Sequence, residues 1–556
     1  MVRLPFFHFN QVSLRKMRSF LDLRSLALCR VLMSLWVLYE LYSRVVVDTI
    51  AWYISEADHD RGLFPMIDPH ETRHGLLFHK ILFYRGSAEL QYCLFAIHAL
   101  VAIAYGAGFR IGLTGPLLWL FVTSVSARNE FIADGSDMTA CHFLFWMQFL
   151  PTDRFLIPRF LSKRLSGFGN SKSWLFAGVK PHPEGSTMIG GAAALAYLLQ
   201  IVVMYWTMLA KRAAGTTWTY PQFTAVYLAM TQSFASTDLA RDAVLAFPEL
   251  TRPATAFGIV FEVVGPLILA VTSAKNTKLR YLGVGIIIFA VQMPLFIFLH
   301  LHRFQSISII VAVVALPSAF WEIGVVKKFT SSSIPSANSK DNRDEDDDKK
   351  KSVGAKKLAH TRIGALLGLW IPRFFLVYMI WTGIANLPQL GLPKLDDGNI
   401  GETLRVHQYW NQFSPDPPAV GGYFTFEGCS TVECNDARDL LVGAAVGDFT
   451  IKPQTQEWKT SLAHQPTYRY PNIYWEKHLW DSLRWDDAKA TRRGRQVARS
   501  LCERWKYAAP ELGDRIVRME AYRYSVHFPT QASGSSSSLW HSPVAQAFSV
   551  LVPCPL

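Results

Sequence analysis

The sequence predicts an all-α polytopic transmembrane bundle of about nine helices, followed by a small α+β domain outside the membrane. Half of the 556 residues are hydrophobic and 18% are charged, whereas soluble domains typically have roughly 25% charged residues. Several apolar stretches approach the roughly 20 residues that a helix needs to cross the hydrocarbon layer. Residues 387–556 instead contain short strand-like and helix-like segments. These features exclude disordered, collagen-like and small disulfide-rich classes.

Nine apolar stretches define the predicted spans. They are 25–47, 89–109, 112–127, 138–157, 187–209, 254–274, 281–301, 304–325 and 363–386. Segment 112–127 is short, and the two stretches around His300 and His302 fit either a hairpin or one broken helix. The pattern therefore allows eight to ten spans, and nine is preferred.

Basic residues predict the orientation of these spans. Residues 1–24 are polar and basic, and the first apolar stretch is too long for a signal-peptide core, so it indicates a signal anchor with a cytoplasmic N-terminus. The connections expected on the cytoplasmic side after the fourth, sixth and eighth spans are rich in Lys and Arg. The last of these, 327–361, is a charged linker with little apolar surface to bury, which predicts disorder.

This orientation gives the predicted domain organisation. It consists of a cytoplasmic segment 1–24, a membrane domain 25–326, the cytoplasmic linker 327–361, a last transmembrane helix 362–386 and a lumenal or extracellular domain 387–556. The endoplasmic reticulum or another endomembrane is the expected location. The net charge of +13 reflects the basic cytoplasmic flanks, so it requires no nucleic-acid partner.

The outer region 387–556 has the features of a folded domain. YFTFEG at 423–428 and residues 515–527 predict strands, and 476–506 predicts a helix. Its tryptophans, Trp410 among them, indicate a packed core. Its four cysteines allow three disulfide connectivities in an oxidising compartment: Cys429, Cys434, Cys502 and Cys554. No spacing typical of a metal site occurs in the sequence.

Polar and ionisable side chains within apolar spans are costly, so each is a candidate functional residue. Arg30 and Glu40 are ten residues apart on the first span and require partners on other helices. Glu262 is a candidate counter-ion for Arg30 or Arg373. We expect four of these side chains to contribute to substrate binding: Arg30, Asn129, Asp137 and Glu262.

Lys211 is the candidate catalytic residue. It lies where the fifth span meets the outer surface, before a turn containing Gly215 and Trp218. A structural interpretation is an interfacial lysine that extends to the headgroups beside a tryptophan anchor. The functional interpretation places the amine in a low-dielectric pocket, where desolvation favours the neutral form. A neutral amine can act as a general base toward an apolar substrate.

Several motifs resemble the HTTM family, which is named for a horizontally transferred transmembrane domain and is related to the vitamin K-dependent gamma-carboxylase. The opening 22–41 (DLRSLALCRVLMSLWVLYEL) is similar to the first helix of that family, and 108–156 is similar to its third and fourth helices. Gln200, Lys211 and Trp218 resemble a Q…K…W stretch, and Glu262 matches a typically acidic position. In the tail, the similar stretches are QYWNQFSPDP at 408–417, PNIYW at 471–475 and LCERW at 501–505.

The resemblance implies a fold and a chemistry. In the carboxylase branch, a lysine at the position of Lys211 deprotonates reduced vitamin K, and the oxygenated product then removes a proton from a peptide glutamate that captures carbon dioxide. By this resemblance Lys211 is the base, a reduced quinone is the cofactor, no metal is needed, and a lumenal peptide or protein is the substrate. Asp153 and Arg154 stand where the carboxylase has a histidine, and the outer region is too short for that enzyme's propeptide-binding region.

Three functions therefore remain open. The first is a quinol- or lipid-linked membrane enzyme that uses Lys211 as its base. The second is a non-catalytic membrane protein that binds a peptide or protein through its outer domain. The third is a transporter, which only the buried charges support, since no internal repeat with broken helices is evident.

Overall fold

The structure of the protein, a computed structural model, is predominantly helical. It describes residues 21–44, 88–128, 133–152, 180–181, 187–231, 236–272, 277–299, 302–323, 354–393, 399–408, 410, 413–417, 420–429, 438–440, 497–498, 501–502, 505, 518–527 and 544–553. Six of its helices are long and apolar enough to cross a membrane: Leu23–Tyr42, Glu89–Gly106, Ala192–Arg212, Pro248–Val271, Thr277–Phe298 and Gly368–Ala385. This part of the chain is consistent with an all-α membrane bundle.

The described helices are numbered here in chain order. They are α1 (Leu23–Tyr42), α2 (Ala88–Gly106), α3 (Ile111–Arg128), α4 (Gly135–Met147), α5 (Ala192–Arg212), α6 (Ala225–Thr231), α7 (Asp238–Ala246), α8 (Thr251–Val271), α9 (Thr277–Phe298), α10 (His302–Val313), α11 (Ser318–Trp321), α12 (Gly354–Ala385) and α13 (Ile400–Thr403). The shorter helices α3, α4 and α10 overlap the predicted stretches 112–127, 138–157 and 304–325.

Several helix boundaries differ from the sequence prediction. Helix α10 ends at Val313, whereas the predicted span continued to 325. Helix α4 ends at Met147, ahead of Pro151, whereas the predicted span continued to 157. Helix α12 begins at Gly354, inside the linker predicted as disordered over 327–361. The Lys and Ala residues at 355–359 are good helix formers, so they allow α12 to extend toward its N-terminus. Residues 327–353 of the linker lie outside the described residues.

The stretches around His300 and His302 form two separate helices. Helix α9 is continuous through a π-helical section at Ile286–Gln292 and ends at Phe298. Leu299 then pairs with Ser236 in an isolated β-bridge, and α10 starts at His302. His300 itself lies outside the described residues. The break therefore agrees with the hairpin alternative.

Short backbone pairings align the helices. Strands β1 (Leu21–Asp22), β2 (Lys180–Pro181) and β3 (Met188–Gly190) form a small antiparallel sheet. Leu21 pairs with Ile189, and the Leu23 amide donates to the Thr187 carbonyl at 2.9 Å, so α1 and α5 begin side by side. At 20 and 21 residues each helix is about 30 Å long. They therefore run in parallel from this end, called the Leu21 end, to the opposite end, which carries Lys211 and is called the Lys211 end.

A cluster of five charged residues fastens three helices together near the Lys211 end. This charge cluster consists of Glu40, Arg44, Asp134, Asp137 and Arg303. The Arg303 guanidinium bonds both oxygens of Glu40 and lies 3.0 Å from Asp134, while Arg44 lies 2.5 Å from Asp137. The partners come from α1, α10 and the N-terminus of α4. The expectation that Glu40 needs a partner on another helix is confirmed.

Apolar packing completes the bundle around α4 and α5. The ring of Phe145 on α4 lies 4.9 Å from that of Phe375 on α12, with the two planes inclined at 73°. A Cβ atom on Gly383 would lie 3.0 Å from the Val203 side chain, so this glycine allows α12 to approach α5 closely. The last residues of α12 are therefore carried to the Lys211 end beside α5.

The described part of the tail contains an antiparallel sheet with the strands β4 (Val420–Cys429), β5 (Arg438–Asp439), β6 (Arg518–His527) and β7 (Val544–Pro553). They pair in the order β5-β4-β6-β7. Strand β4 contains the predicted segment 423–428, and β6 covers 518–527 of the predicted segment 515–527. Tyr423 lies opposite Tyr524. Strand β7 was not predicted.

Part of the predicted tail helix is also described. Val497, Leu501 and Trp505 are buried, and Trp505 Nε1 donates to the Leu440 carbonyl at 3.0 Å. Cys429 and Cys502 are each disulfide-bonded. Cys434 and Cys554 lie outside the described residues.

We predict that replacing Arg303 with methionine lowers the free energy of unfolding by about 3–5 kcal/mol, because the buried carboxylates lose their guanidinium. Chemical unfolding in detergent measures the change. Arg241→Met is the matched control, since Arg241 pairs with Asp238, whose side chain is 64% exposed; its effect should be below about 1 kcal/mol. Equal effects of the two substitutions would contradict the role assigned to the charge cluster.

Candidate functional site around Lys211

Lys211 lies one residue before the C-terminal end of α5 and is half-buried. The buried face of α5 carries Gln200, Met204 and Met208 toward the bundle interior. The Lys211 Nζ donates a hydrogen bond to the backbone carbonyl of Trp410 at 2.8 Å. The amine is therefore held at the end of an apolar helix by a residue that comes 199 positions later in the chain.

The segment that provides this carbonyl follows α13 and packs into the bundle. We call residues 406–417 the tail segment; positions 409, 411 and 412 of it lie outside the described residues. The Gln408 carbonyl accepts a hydrogen bond from Asn386 Nδ2 at 2.9 Å, and His142 Nε2 lies 3.0 Å from the His407 carbonyl. The ring centroids of His142 and Trp410 are 5.1 Å apart. Trp410 thus packs against α4, although the sequence suggested that it belongs to the core of the outer domain.

A buried pair of amides fixes the middle of the tail segment. Gln200 Nε2 donates to Gln408 Oε1 at 2.7 Å, and Gln408 Nε2 donates back to Gln200 Oε1 at 3.2 Å. Trp146 Nε1 donates to Gln200 Oε1 at 3.2 Å, and Trp410 Nε1 donates to Gln408 Oε1 at 3.0 Å. Because these amide groups are removed from water, losing one partner would leave the other unsatisfied.

The end of the tail segment is held by the turn that follows α5. Trp218 Nε1 donates to the Phe413 carbonyl at 2.9 Å, and the Asp416 carboxylate accepts from the Thr217 amide at 2.8 Å. A Cβ atom on Gly215 would lie 2.2 Å from the Pro415 carbonyl oxygen. A glycine is therefore needed where the two backbones meet. Both sides of Trp410 are anchored, and so its carbonyl has a defined position beneath Lys211.

Glu262 forms an ion pair with Arg212, the neighbour of Lys211. The Arg212 Nη1 to Glu262 Oε2 distance is 2.5 Å, and both side chains are buried. The Arg212 guanidinium also lies 4.1 Å from the centroid of the Trp218 ring. The expectation that Glu262 pairs with Arg30 or Arg373 is wrong, because α8 packs along α5 and brings Glu262 to the end of α5. Arg212 also occupies the position over Trp218 that the interfacial interpretation gave to Lys211.

The remaining predicted binding residues do not form one site with Lys211. Asp137 belongs to the charge cluster. Arg30 donates to the Gly106 carbonyl at 3.2 Å and to the Thr152 carbonyl, which places it about 20 Å along the α1 axis from Arg44. Asn129 lies outside the described residues.

The contact with the Trp410 carbonyl orients the Lys211 amine. No group of three or more His, Cys, Asp or Glu side chains that could hold a metal ion occurs in the described ranges. A backbone carbonyl accepts a hydrogen bond from an amine but cannot take up its proton, so this contact orients the Lys211 nitrogen without neutralising it. Most of the tail segment, residues 408–417, is one of the stretches that resemble the HTTM family. Gln408 and Trp410 were nevertheless not predicted as site residues, because nothing in the local sequence indicates that they approach α5.

Comparisons with known proteins give no further assignment, since no family model, curated protein or solved structure matches the chain.

We predict that Glu262→Leu destabilises the protein by about 3–5 kcal/mol, because it leaves the Arg212 guanidinium buried without its carboxylate. Adding Arg212→Met should restore most of that loss, since two apolar side chains of similar volume can replace a buried ion pair. Unfolding of both single variants and the double variant forms a double-mutant cycle. Additive effects of the two substitutions would show that the pair is not coupled.

Proposed function

We propose that the protein is a multi-pass membrane enzyme of the carboxylase-like kind, in which Lys211 is the general base toward a weakly acidic, lipid-soluble substrate such as a reduced quinone. The observation that carries the proposal is the 2.8 Å contact between Lys211 Nζ and the Trp410 carbonyl. It holds an amine where the apolar helix α5 meets a segment leading to the extramembrane strands. A substrate dissolved in the lipid and a peptide in the outer compartment could both reach this position.

The chemistry of the surrounding groups supports a base. A neutral amine donating one N–H to a carbonyl keeps its lone pair for a substrate proton. The nearby Glu262 carboxylate is engaged by Arg212, so the pair adds little net charge beside the amine.

The same surroundings fit a reduced quinone. Trp206 on α5 has an aromatic ring that is 38% exposed, and its Nε1 donates to the Val263 carbonyl of α8 at 3.2 Å. Aromatic rings favour stacking with a flat, apolar ring system. When bound, a reduced quinone would supply a weakly acidic hydroxyl group. Lys211 would receive that proton, and the Trp410 carbonyl would orient the amine.

The likeness to the HTTM family is part of this proposal. It gains support from the position of the QYWNQFSPDP motif, because described residues of that motif contact Lys211, Gln200 and Trp218. All three of those residues belong to the Q…K…W stretch. Two groups of motifs that are far apart in the sequence thus meet at one place in the fold.

We propose nine membrane crossings, with the N-terminus in the cytoplasm and the Lys211 end facing the lumen or the extracellular space. Antiparallel packing supports this arrangement. The chain runs from Arg303, beside Glu40, through α10 to the Leu21 end, where Trp321 Nε1 donates to Ser25 Oγ at 2.9 Å. Cysteine chemistry supports it as well. Cys29 and Cys141 in the helices are free, whereas Cys429 and Cys502 in the tail are disulfide-bonded, which requires an oxidising compartment.

We expect residues 387–556 to be protected from added protease in sealed microsomes and to be digested once the vesicles are opened. Immunoblotting of a C-terminal epitope tag measures the protection. A tag on the cytoplasmic linker near residue 340 is the control and should be digested in both preparations. Digestion of the tail in intact vesicles would place Lys211 on the cytoplasmic side and would contradict the proposed topology.

We expect Lys211→Ala to lower quinol consumption by at least about 100-fold, because general-base catalysis typically contributes that much or more. The assay follows oxidation of vitamin K hydroquinone by the purified protein in lipid nanodiscs. Lys211→Arg keeps a donor for the Trp410 carbonyl but remains protonated, so it should be equally inactive while folding normally.

The control for this experiment is Lys278→Ala, since Lys278 is an exposed lysine in the first turn of α9. Its activity should equal that of the wild-type protein. A Lys211→Ala protein with full activity would exclude the base role. A wild-type protein without quinol consumption that captures lumenal peptides would support the non-catalytic alternative.

A further inference from the structure

Arg373 lies on the exposed face of α12, although it belongs to the apolar part of that helix, Gly368–Ala385. Within the described ranges no carboxylate forms an ion pair with it. Its guanidinium lies over the exposed ring of Trp370, 5.4 Å from the ring centroid. Glu262 was expected as a counter-ion, but Arg212 engages that carboxylate. The charge of Arg373 is therefore not balanced by the part of the chain that the structure describes.

Arg373 is located at the Leu21 end of the bundle. Gly383 of α12 packs against Val203 of α5. After α12, Gln389 Nε2 donates to the Ala210 carbonyl at 2.6 Å, so the two helices run in the same direction. Val203 follows the start of α5 by eleven residues, about 16 Å, and Arg373 precedes Gly383 by ten residues, about 15 Å. Arg373 is therefore level with the first turn of α5, at the edge of the apolar layer.

The side chain of Arg373 extends toward the polar side of this edge. Helical side chains tilt toward the N-terminus of their helix, and the contact with Trp370, one turn earlier, has the same direction. An arginine can keep its stem on apolar surface while its charge reaches the headgroups, and tryptophan rings are enriched at the same level. The guanidinium and the indole therefore lie where lipid phosphates are found.

An exposed apolar stripe begins beside Arg373 and follows α12 toward the Lys211 end. The stripe consists of four side chains that are each at least 40% exposed: Phe374, Val377, Trp381 and Ile384. Residues three or four positions apart share one face of a helix, so these side chains form a continuous track about 15 Å long. The matching ligand has a phosphate at one end and hydrocarbon along the stripe.

The charge on this face favours a lipid over a second copy of the chain. A two-fold contact places the same patch of both subunits together, so a dimer with its axis along the membrane normal would bring two Arg373 guanidinium groups toward each other. Like charges repel. An anionic phospholipid instead brings the opposite charge to Arg373. A zwitterionic headgroup neutralises its own phosphate, so it gains less from the arginine.

We propose that the exposed face of α12 binds an anionic phospholipid, whose phosphate is held by Arg373 beside Trp370 and whose acyl chains lie along the apolar stripe. The site lies at the opposite end of the bundle from Lys211. Under the proposed topology it faces the cytoplasmic leaflet, but it depends neither on that orientation nor on the proposed reaction.

The test is lipid binding by the full-length protein in detergent, measured by native mass spectrometry. The probes are dioleoylphosphatidylglycerol, dioleoylphosphatidylcholine and inorganic phosphate. We expect the wild-type protein to retain phosphatidylglycerol in preference to phosphatidylcholine. Inorganic phosphate should compete only weakly, because it has no chain for the apolar stripe. Equal binding of the two lipids, or full displacement of phosphatidylglycerol by an equal concentration of phosphate, would overturn the assignment to an anionic lipid.

Arg373→Gln should weaken phosphatidylglycerol binding by about 5- to 10-fold, the contribution of one basic side chain near the headgroups. The matched control is Arg252→Gln, since Arg252 is also an exposed arginine and lies in the first turn of another helix, α8. This control should change binding by no more than about twofold. Equal losses in the two variants would indicate general electrostatic attraction and would contradict a site at Arg373.

Photocrosslinking locates the bound lipid, with a phosphatidylglycerol that has a diazirine in one acyl chain. We expect labels on the apolar stripe, and we expect Arg373→Gln to reduce them by the same factor as binding. Labels found only on other surfaces would overturn the proposal. A wild-type dimer whose apolar stripe is protected from the label would overturn it as well, because a second copy would then cover this face.

Discussion

Every guanidinium removed from water within an apolar bundle has to meet an acceptor, and this constraint determines how the helices pack. The charge cluster illustrates it best. Arg303 on α10 can be buried only because Glu40 on α1 and Asp134 at the start of α4 converge on it. These three helices are distant in the sequence. Apolar surfaces alone would permit many rotations and shifts of one helix along another, whereas a bidentate ion pair permits very few.

The same constraint organises the region around Lys211. Burial of Arg212 against Glu262 fixes α5 beside α8 and leaves the preceding lysine directed toward the tail segment. The tail segment enters the bundle because its amide and carbonyl groups are satisfied there, chiefly by Gln200 and Trp218. The segment that links the helical bundle to the strands of the tail is therefore a hydrogen-bonded part of the fold.

The sequence predicted the composition of the bundle better than its contacts. The length of the apolar stretches predicted the six long helices, and the alternation of residue types predicted the strands β4 and β6. Both patterns are local properties of the chain. The boundaries at Met147 and Gly354 were missed, since a turn before Pro151 and the helix-forming residues at 355–359 outweighed the hydropathy pattern. Glu262 was identified as a buried acid but given the wrong partner. Pairing depends on which helices are neighbours, and hydropathy carries no information about that.

The sequence by itself determined that this chain belongs in a membrane, which side chains are too polar to lie there without partners, and that Lys211 ends an apolar helix. Those conclusions follow from transfer free energies, which are properties of individual residues. Only the tertiary structure decided that the Trp410 carbonyl holds Lys211 and that Gln200 and Gln408 form an amide pair. Hydrogen bonds depend on distance and direction within a few tenths of an ångström, and those are set when segments hundreds of residues apart come into contact.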